Sequence, residues 1–156
     1  MGLGSDAVCA SWLQGPDYTG AELIATLLSA NTIGHGTFDV GTTAFAFAAG
    51  VVGVPADSSI TVNDVSAYFL NGDGRFTSYF AGHRSDNLPG GPAAPPYRGA
   101  TPQAQGTVLV HEIAHLINLR RGFPAGYQHD FGNKKAGEEN DKLVDRFCRT
   151  LIQGLQ

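Results

Sequence analysis

His111-Glu112-Ile113-Ala114-His115 sets two imidazoles four residues apart, with a carboxylate directly after the first. On an α-helix, residues i and i+4 lie one above the other on a single face. Both rings can then reach one metal ion without distorting the backbone. Glu112 stands one step round the helix, out of the ligand plane but within reach of a water on the ion. Neutral imidazole suits Zn²⁺, and a carboxylate beside the bound water can take its proton as the water attacks a carbonyl. The chemistry implied is zinc-dependent hydrolysis of a peptide bond, with Glu112 as general base and later proton donor. With 5 His in 156 residues, random placement yields this string about 0.004 times per chain. A pair of surface histidines at helical spacing is the weaker explanation.

A catalytic zinc site takes three protein ligands and keeps one position open. The extended HExxHxxGxxH pattern is absent, because Leu-Ile-Asn-Leu-Arg-Arg follows His115. The candidates for the third ligand lie downstream: His129, Asp130, Glu138 and Glu139. Gln128 to Asn133 is rich in turn residues and follows a helix break at Gly122–Gly126, so the chain can fold back there over the ion. Asp130 is the favoured ligand and His129 the second choice. Glu138 and Glu139 also fit as acids in the first turn of a closing helix. The transition-state oxyanion needs a further donor, which Tyr127 or His129 could supply. Arg120 and Arg121 read as solvated helix-end charges, and His35 and His83 as loop histidines.

These residues need elements to hold them. Thr101 can cap a helix with Pro102 at its first position, and Val108, Leu109, Ile113, Leu116 and Ile117 recur at helical spacing. That helix runs to about Arg120, weakened at Gly106 and stopped by Gly122 and Pro124. A last helix carries Leu143, Val144, Phe147, Cys148, Leu151, Ile152 and Leu155 as one stripe, with Glu138 and Glu139 in its first turn. Ala21 to Ile33 predicts another helix. Thr37 to Val54 predicts one or two strands, ended by a turn at Pro55 to Ser58. Ile60 to Leu70 predicts a strand, and Asn71-Gly72-Asp73-Gly74 a hairpin turn leading into Arg75 to Gly82. The aromatic residues along these segments, Phe45, Phe47, Tyr68, Phe69, Phe76, Tyr79 and Phe80, are expected in the core. Arg84 to Ala100 holds four of the eight prolines and predicts a long functional loop.

Composition narrows the rest. One domain is expected from 156 residues, spanning 1–156, with residues 1–8 as a linker stub. Hydrophobic residues at 42% and charged ones at 15% exclude disorder over most of the length. A net charge of −4 without a basic run gives a polyanion no foothold, which excludes nucleic acid. No apolar run approaches the ~20 residues of a membrane span, and Met1 to Leu13 lacks the pattern of a signal peptide. Cys9 and Cys148 sit near opposite ends. They are either a disulfide, which places the domain outside the reducing cytosol, or two buried thiols.

From Thr101 to Cys148 the chain resembles the zincin-like metallopeptidase domains that end bacterial RHS-repeat and related polymorphic secreted proteins. The resemblance lies in Thr101, Pro102, Ala104 and Gln105 at the helix start and in the HExxH. It continues in the turn Asp130, Gly132, Asn133 and in Asn140, Leu143, Val144 and Cys148. It departs at Ala114, where a Gly is usual, and in the length of the proline-rich loop. The resemblance implies an α+β fold with a small mixed or antiparallel sheet, an active-site helix and a closing C-terminal helix. It further implies Zn²⁺ on His111, His115 and Asp130, and a protein or peptide substrate. An immunity or pro-segment partner would fit such a domain. It would be secreted within a larger bacterial protein and could be delivered into a target cell as a toxin. The alternative is a non-catalytic surface or interaction domain that metal merely stabilises.

Overall fold

A computed structural model describes residues 6–15, 19–37, 46–51, 54–64, 100–118, 127–130 and 133–156. Within these, helices and a small mixed sheet combine, as an α+β chain requires.

The chain enters through helix α1 (Ala7–Trp12), whose cap is Asp6: its carboxylate accepts from the Val8 and Cys9 amides. Ala7 and Val8, expected in a linker, thus belong to a helix. Helix α2 (Gly20–Ser29) begins with a reciprocal cap between Thr19 and Glu22. It stops four residues short of the predicted Ile33. Asn31 takes a left-handed backbone with φ 55°, which asparagine tolerates better than most residues, and the chain turns there into a strand.

Strand β1 (Ile33–Gly36) runs parallel to β3 (Val54–Asn63), and β2 (Ala46–Val51) runs antiparallel to β3, giving the order β1-β3-β2. The turn expected at Pro55 to Ser58 is not one. Those residues lie inside β3, and the reversal falls earlier, since Val51 pairs with Val54. Proline is tolerated because β1 pairs only with Ile60–Asn63 and the β2 register breaks between Ala49–Ser59 and Val51–Val54, which leaves Pro55 outside the regular ladder. The predicted hairpin at 71–74, the strand at 75–82, the aromatic residues Phe45, Tyr68, Phe69, Phe76, Tyr79 and Phe80, and nearly all of the proline-rich loop lie outside the described residues.

Helix α3 (Pro102–Asn118) starts where predicted, with Thr101 Oγ1 accepting from the Ala104 amide. At Gly106 a Cβ would meet the tip of the Leu155 side chain, which would have to shift. Helix α4 (Lys134–Gln153) begins earlier than expected, capped by Asn133, so Glu138 and Glu139 are not in its first turn. Of its predicted apolar stripe, Val144, Cys148 and Ile152 are at most 1% exposed, and Leu143, Phe147, Leu151 and Leu155 are half-buried. Each fully buried side chain contributes about 1.5–3 kcal/mol of burial free energy. α3 packs against α4 and β2, α2 against β3 and α3, and α1 against α4.

Cys9 and Cys148 form a disulfide that closes a separation of 139 residues and ties α1 to α4. Beside it, Trp12 stacks on Phe147 with ring centroids 5.3 Å apart and meets the edge of Tyr127 at 5.7 Å. The core therefore runs from the disulfide to the tyrosine that lies against the histidine pair.

Candidate metal centre

From Val110 to Ile117 helix α3 is buried on nearly every side; His111 and His115 are the partly open exceptions. Their side chains are 13% and 15% exposed, so both rings are largely buried yet keep some contact with solvent. The i,i+4 spacing brings the two Nε2 atoms to 3.2 Å.

Asp130 meets them from the segment 127–130. Its Oδ2 lies 3.0 Å from His111 Nε2 and its Oδ1 3.0 Å from His115 Nε2. One donor atom from each of His111, His115 and Asp130 lies within 4.8 Å of the others, the spacing a single ion can bridge. Of the candidates for a third ligand whose side chains are described, Asp130 is the one brought to the histidines. His129 is exposed and outside this group. Glu139 is bound instead by Lys142 Nζ at 2.7 Å on the surface of α4. The Glu138 side chain lies outside the described residues, as do Arg120, Arg121 and His83. His35 sits in β1 rather than a loop, with Nδ1 2.7 Å from Asp64 Oδ1.

A second layer comes from α4. Asp141 Oδ1 lies 2.7 Å from His111 Nδ1 and accepts its proton, so that Nε2 is the nitrogen turned toward Asp130 and His115. Carboxylate–imidazole pairs of this kind fix the tautomer of metal-binding histidines. Asp141 Oδ2 is buried without a hydrogen-bond partner among the described residues. Asn140, fully buried, donates to Asp130 Oδ2 at 3.0 Å and bonds both backbone groups of Gln128. Neither Asn140 nor Asp141 was assigned a role at the site from sequence. The available signal was that both project onto the apolar stripe, at i−4 from Val144 and i−7 from Cys148. A polar residue on a buried face is the informative kind.

Tyr127, expected as an oxyanion donor, directs its hydroxyl elsewhere. It donates to the main-chain carbonyl of His111 at 2.7 Å and is 2% exposed. Its ring meets the edges of His111 and His115, with centroids 5.6 and 5.0 Å away.

Glu112 is 7% exposed. Burial pushes its carboxyl above the ordinary value, the charges of His111 and His115 pull it back, and Asp130 and Asp141 add to the rise. For His111, burial opposes protonation, yet the Asp141 charge and hydrogen bonds to Asp130 and Asp141 outweigh it and raise the pKa well above normal. For Asp130, burial favours the neutral acid, but the two histidines hold the carboxyl far below the usual carboxylate range. Three carboxylates thus surround two imidazoles.

That donor set fits a divalent transition ion. Two imidazole nitrogens and one carboxylate suit zinc and its neighbours, the site is rich in negative charge, and the outer groups already orient the ligands. Comparison with known proteins adds nothing to this geometry: no family model, no curated protein and no solved structure matches the chain.

Proposed function

We propose that the chain is a zinc-dependent peptide hydrolase of zincin-like architecture. The observation that carries this reading is the convergence of His111, His115 and Asp130 beside a buried Glu112. His111 and His115 would hold the ion from α3 and Asp130 from the segment that folds back over it. When bound, the ion supplies Lewis acidity, polarising a carbonyl and making water a stronger nucleophile near neutral pH.

The protein's own groups supply the remainder. Glu112, adjacent to one ligand on a rigid helix, takes the proton released as water attacks and returns it to the leaving amine nitrogen. Asp141 orients the His111 ring, and Tyr127 braces the helix at the His111 carbonyl. Among the described residues His111, His115 and Asp130 converge, the number of protein ligands a catalytic zinc site takes. The buried Cys9–Cys148 disulfide fits an oxidising compartment and hence a secreted chain. Among the described residues no helix is long and apolar enough to cross a membrane.

The test is Glu112→Gln, assayed on a proteome-derived peptide library read by mass spectrometry. The variant is expected to bind one zinc ion per chain as the wild type does and to cleave nothing. Undiminished cleavage by the variant would remove the assignment.

A further inference from the structure

Asn140 is 0% exposed and every hydrogen-bonding atom of its amide is committed. Oδ1 accepts from the Gln128 amide at 2.8 Å; Nδ2 donates to the Gln128 carbonyl at 2.7 Å and to Asp130 Oδ2 at 3.0 Å. Reversing the amide would set oxygen against two oxygens and nitrogen against an N–H, so its orientation is fixed by its surroundings. The side chain clasps the peptide two residues before the ligand and, with its last hydrogen, one oxygen of the ligand itself.

Asp130 Oδ2 therefore accepts from Asn140 Nδ2 and lies 3.0 Å from His111 Nε2, while Oδ1 lies 3.0 Å from His115 Nε2. Asn140 takes one acceptor site of Oδ2 and none of Oδ1, so Oδ1 is the oxygen left more open to an ion. An ion that displaced Asn140 from Oδ2 would leave a buried amide N–H unpaired, which is unfavourable.

We propose that Asn140 is a positioning residue that makes Asp130 a one-oxygen ligand, presenting Oδ1 to the ion and keeping Oδ2 for itself. This rests on the metal-centre reading above. The consequence is selectivity. A single carboxylate oxygen with two imidazoles leaves coordination positions for water and substrate, as zinc chemistry needs. A two-oxygen carboxylate fills one of them and favours harder ions of higher coordination number. Aspartate at this position could not substitute, because its carboxylate would oppose both the Gln128 carbonyl and Asp130 Oδ2.

Two measurements test it. In a crystal structure of the zinc-loaded wild type, Asp130 is expected to bind through one oxygen, with Asn140 still on the other. In Asn140→Asp, zinc affinity measured against a chromophoric chelator is expected to fall roughly 10–100-fold. The visible absorption of its Co²⁺ form should weaken toward that of a higher-coordinate ion, a change that loss of stability alone does not produce. A wild type that binds no zinc would overturn the metal centre and this inference together. A two-oxygen Asp130 in the wild type, or a folded variant with unaltered affinity and Co²⁺ spectrum, would overturn this inference alone. If the variant does not fold, the wild-type coordination decides.

Discussion

The Tyr127 hydroxyl donates to the main-chain carbonyl of His111 at 2.7 Å, while the tyrosine ring lies against both metal-site histidines. One side chain thus links the segment that carries Asp130 to the helix that carries the histidine pair. Tyr127→Phe keeps the ring and removes the bond, at a cost of about 0.5–1.5 kcal/mol in stability. Its kcat on a cleaved peptide is expected to change less than about tenfold. An oxyanion donor would instead lose 100-fold or more, and that result with unchanged stability would return Tyr127 to the reacting atoms.

Asp130 and His129 are neighbours with opposite surroundings, one against the histidine pair and one exposed. Asp130→Ala is expected to weaken zinc binding by more than about 100-fold, beyond what loss of an outer-layer group produces. His129→Ala should leave affinity within a factor of about three. Competition titration on both variants checks the order, and the reverse order would move the third ligand to His129.

The Cys9–Cys148 bridge spans 139 residues, for which chain entropy gives about 5 kcal/mol and native disulfides typically 2–5 kcal/mol. Denaturant unfolding of Cys9→Ala/Cys148→Ala is expected to show a loss in that range. Trp12 lies between Phe147 and Tyr127, so freeing α1 should also weaken zinc binding. Unaltered affinity in the double variant would show that the ligand segment holds its shape without α1.

The metal-stripped protein carries a pH signature. The pKa of His111 is raised, so its contribution is complete below the ordinary histidine value near pH 6.5 and is lost as pH climbs through the elevated one. That of Asp130 is depressed, so its contribution is present above the ordinary carboxylate value and is lost on strong acidification. Thermal stability with a chelator present is therefore expected to peak in mildly acidic buffer and fall toward alkaline pH. Zinc should protect most at the alkaline end, where protons no longer compete for the imidazoles. A chelated protein whose Tm is flat from pH 6 to 9 would contradict the charge arrangement around His111.

What the sequence conveyed followed the range of the interactions. The α3 cap and the meeting of His111 with His115 depend on residues within a turn or two, and local signals report those directly. Asp141 and His111 lie 30 residues apart, and Asn140 and Asp130 come from different segments. In the sequence both α4 residues fall on the apolar stripe of their helix, but only packing shows which groups they meet. The strands shifted for a similar reason. Pro55 is a turn signal locally, and only the pairing of Val51 with Val54 moves the reversal ahead of it. Asn31 ended α2 by a backbone conformation that hydrophobic spacing does not encode.

The most direct test is the metal content of protein purified without added metal, combined with an anomalous-scattering map at the zinc edge. One ion per chain is expected, with its peak between His111 Nε2, His115 Nε2 and the Asp130 carboxylate. Protein free of transition metal that also takes up none on addition of zinc, or a peak away from these three side chains, would contradict the account.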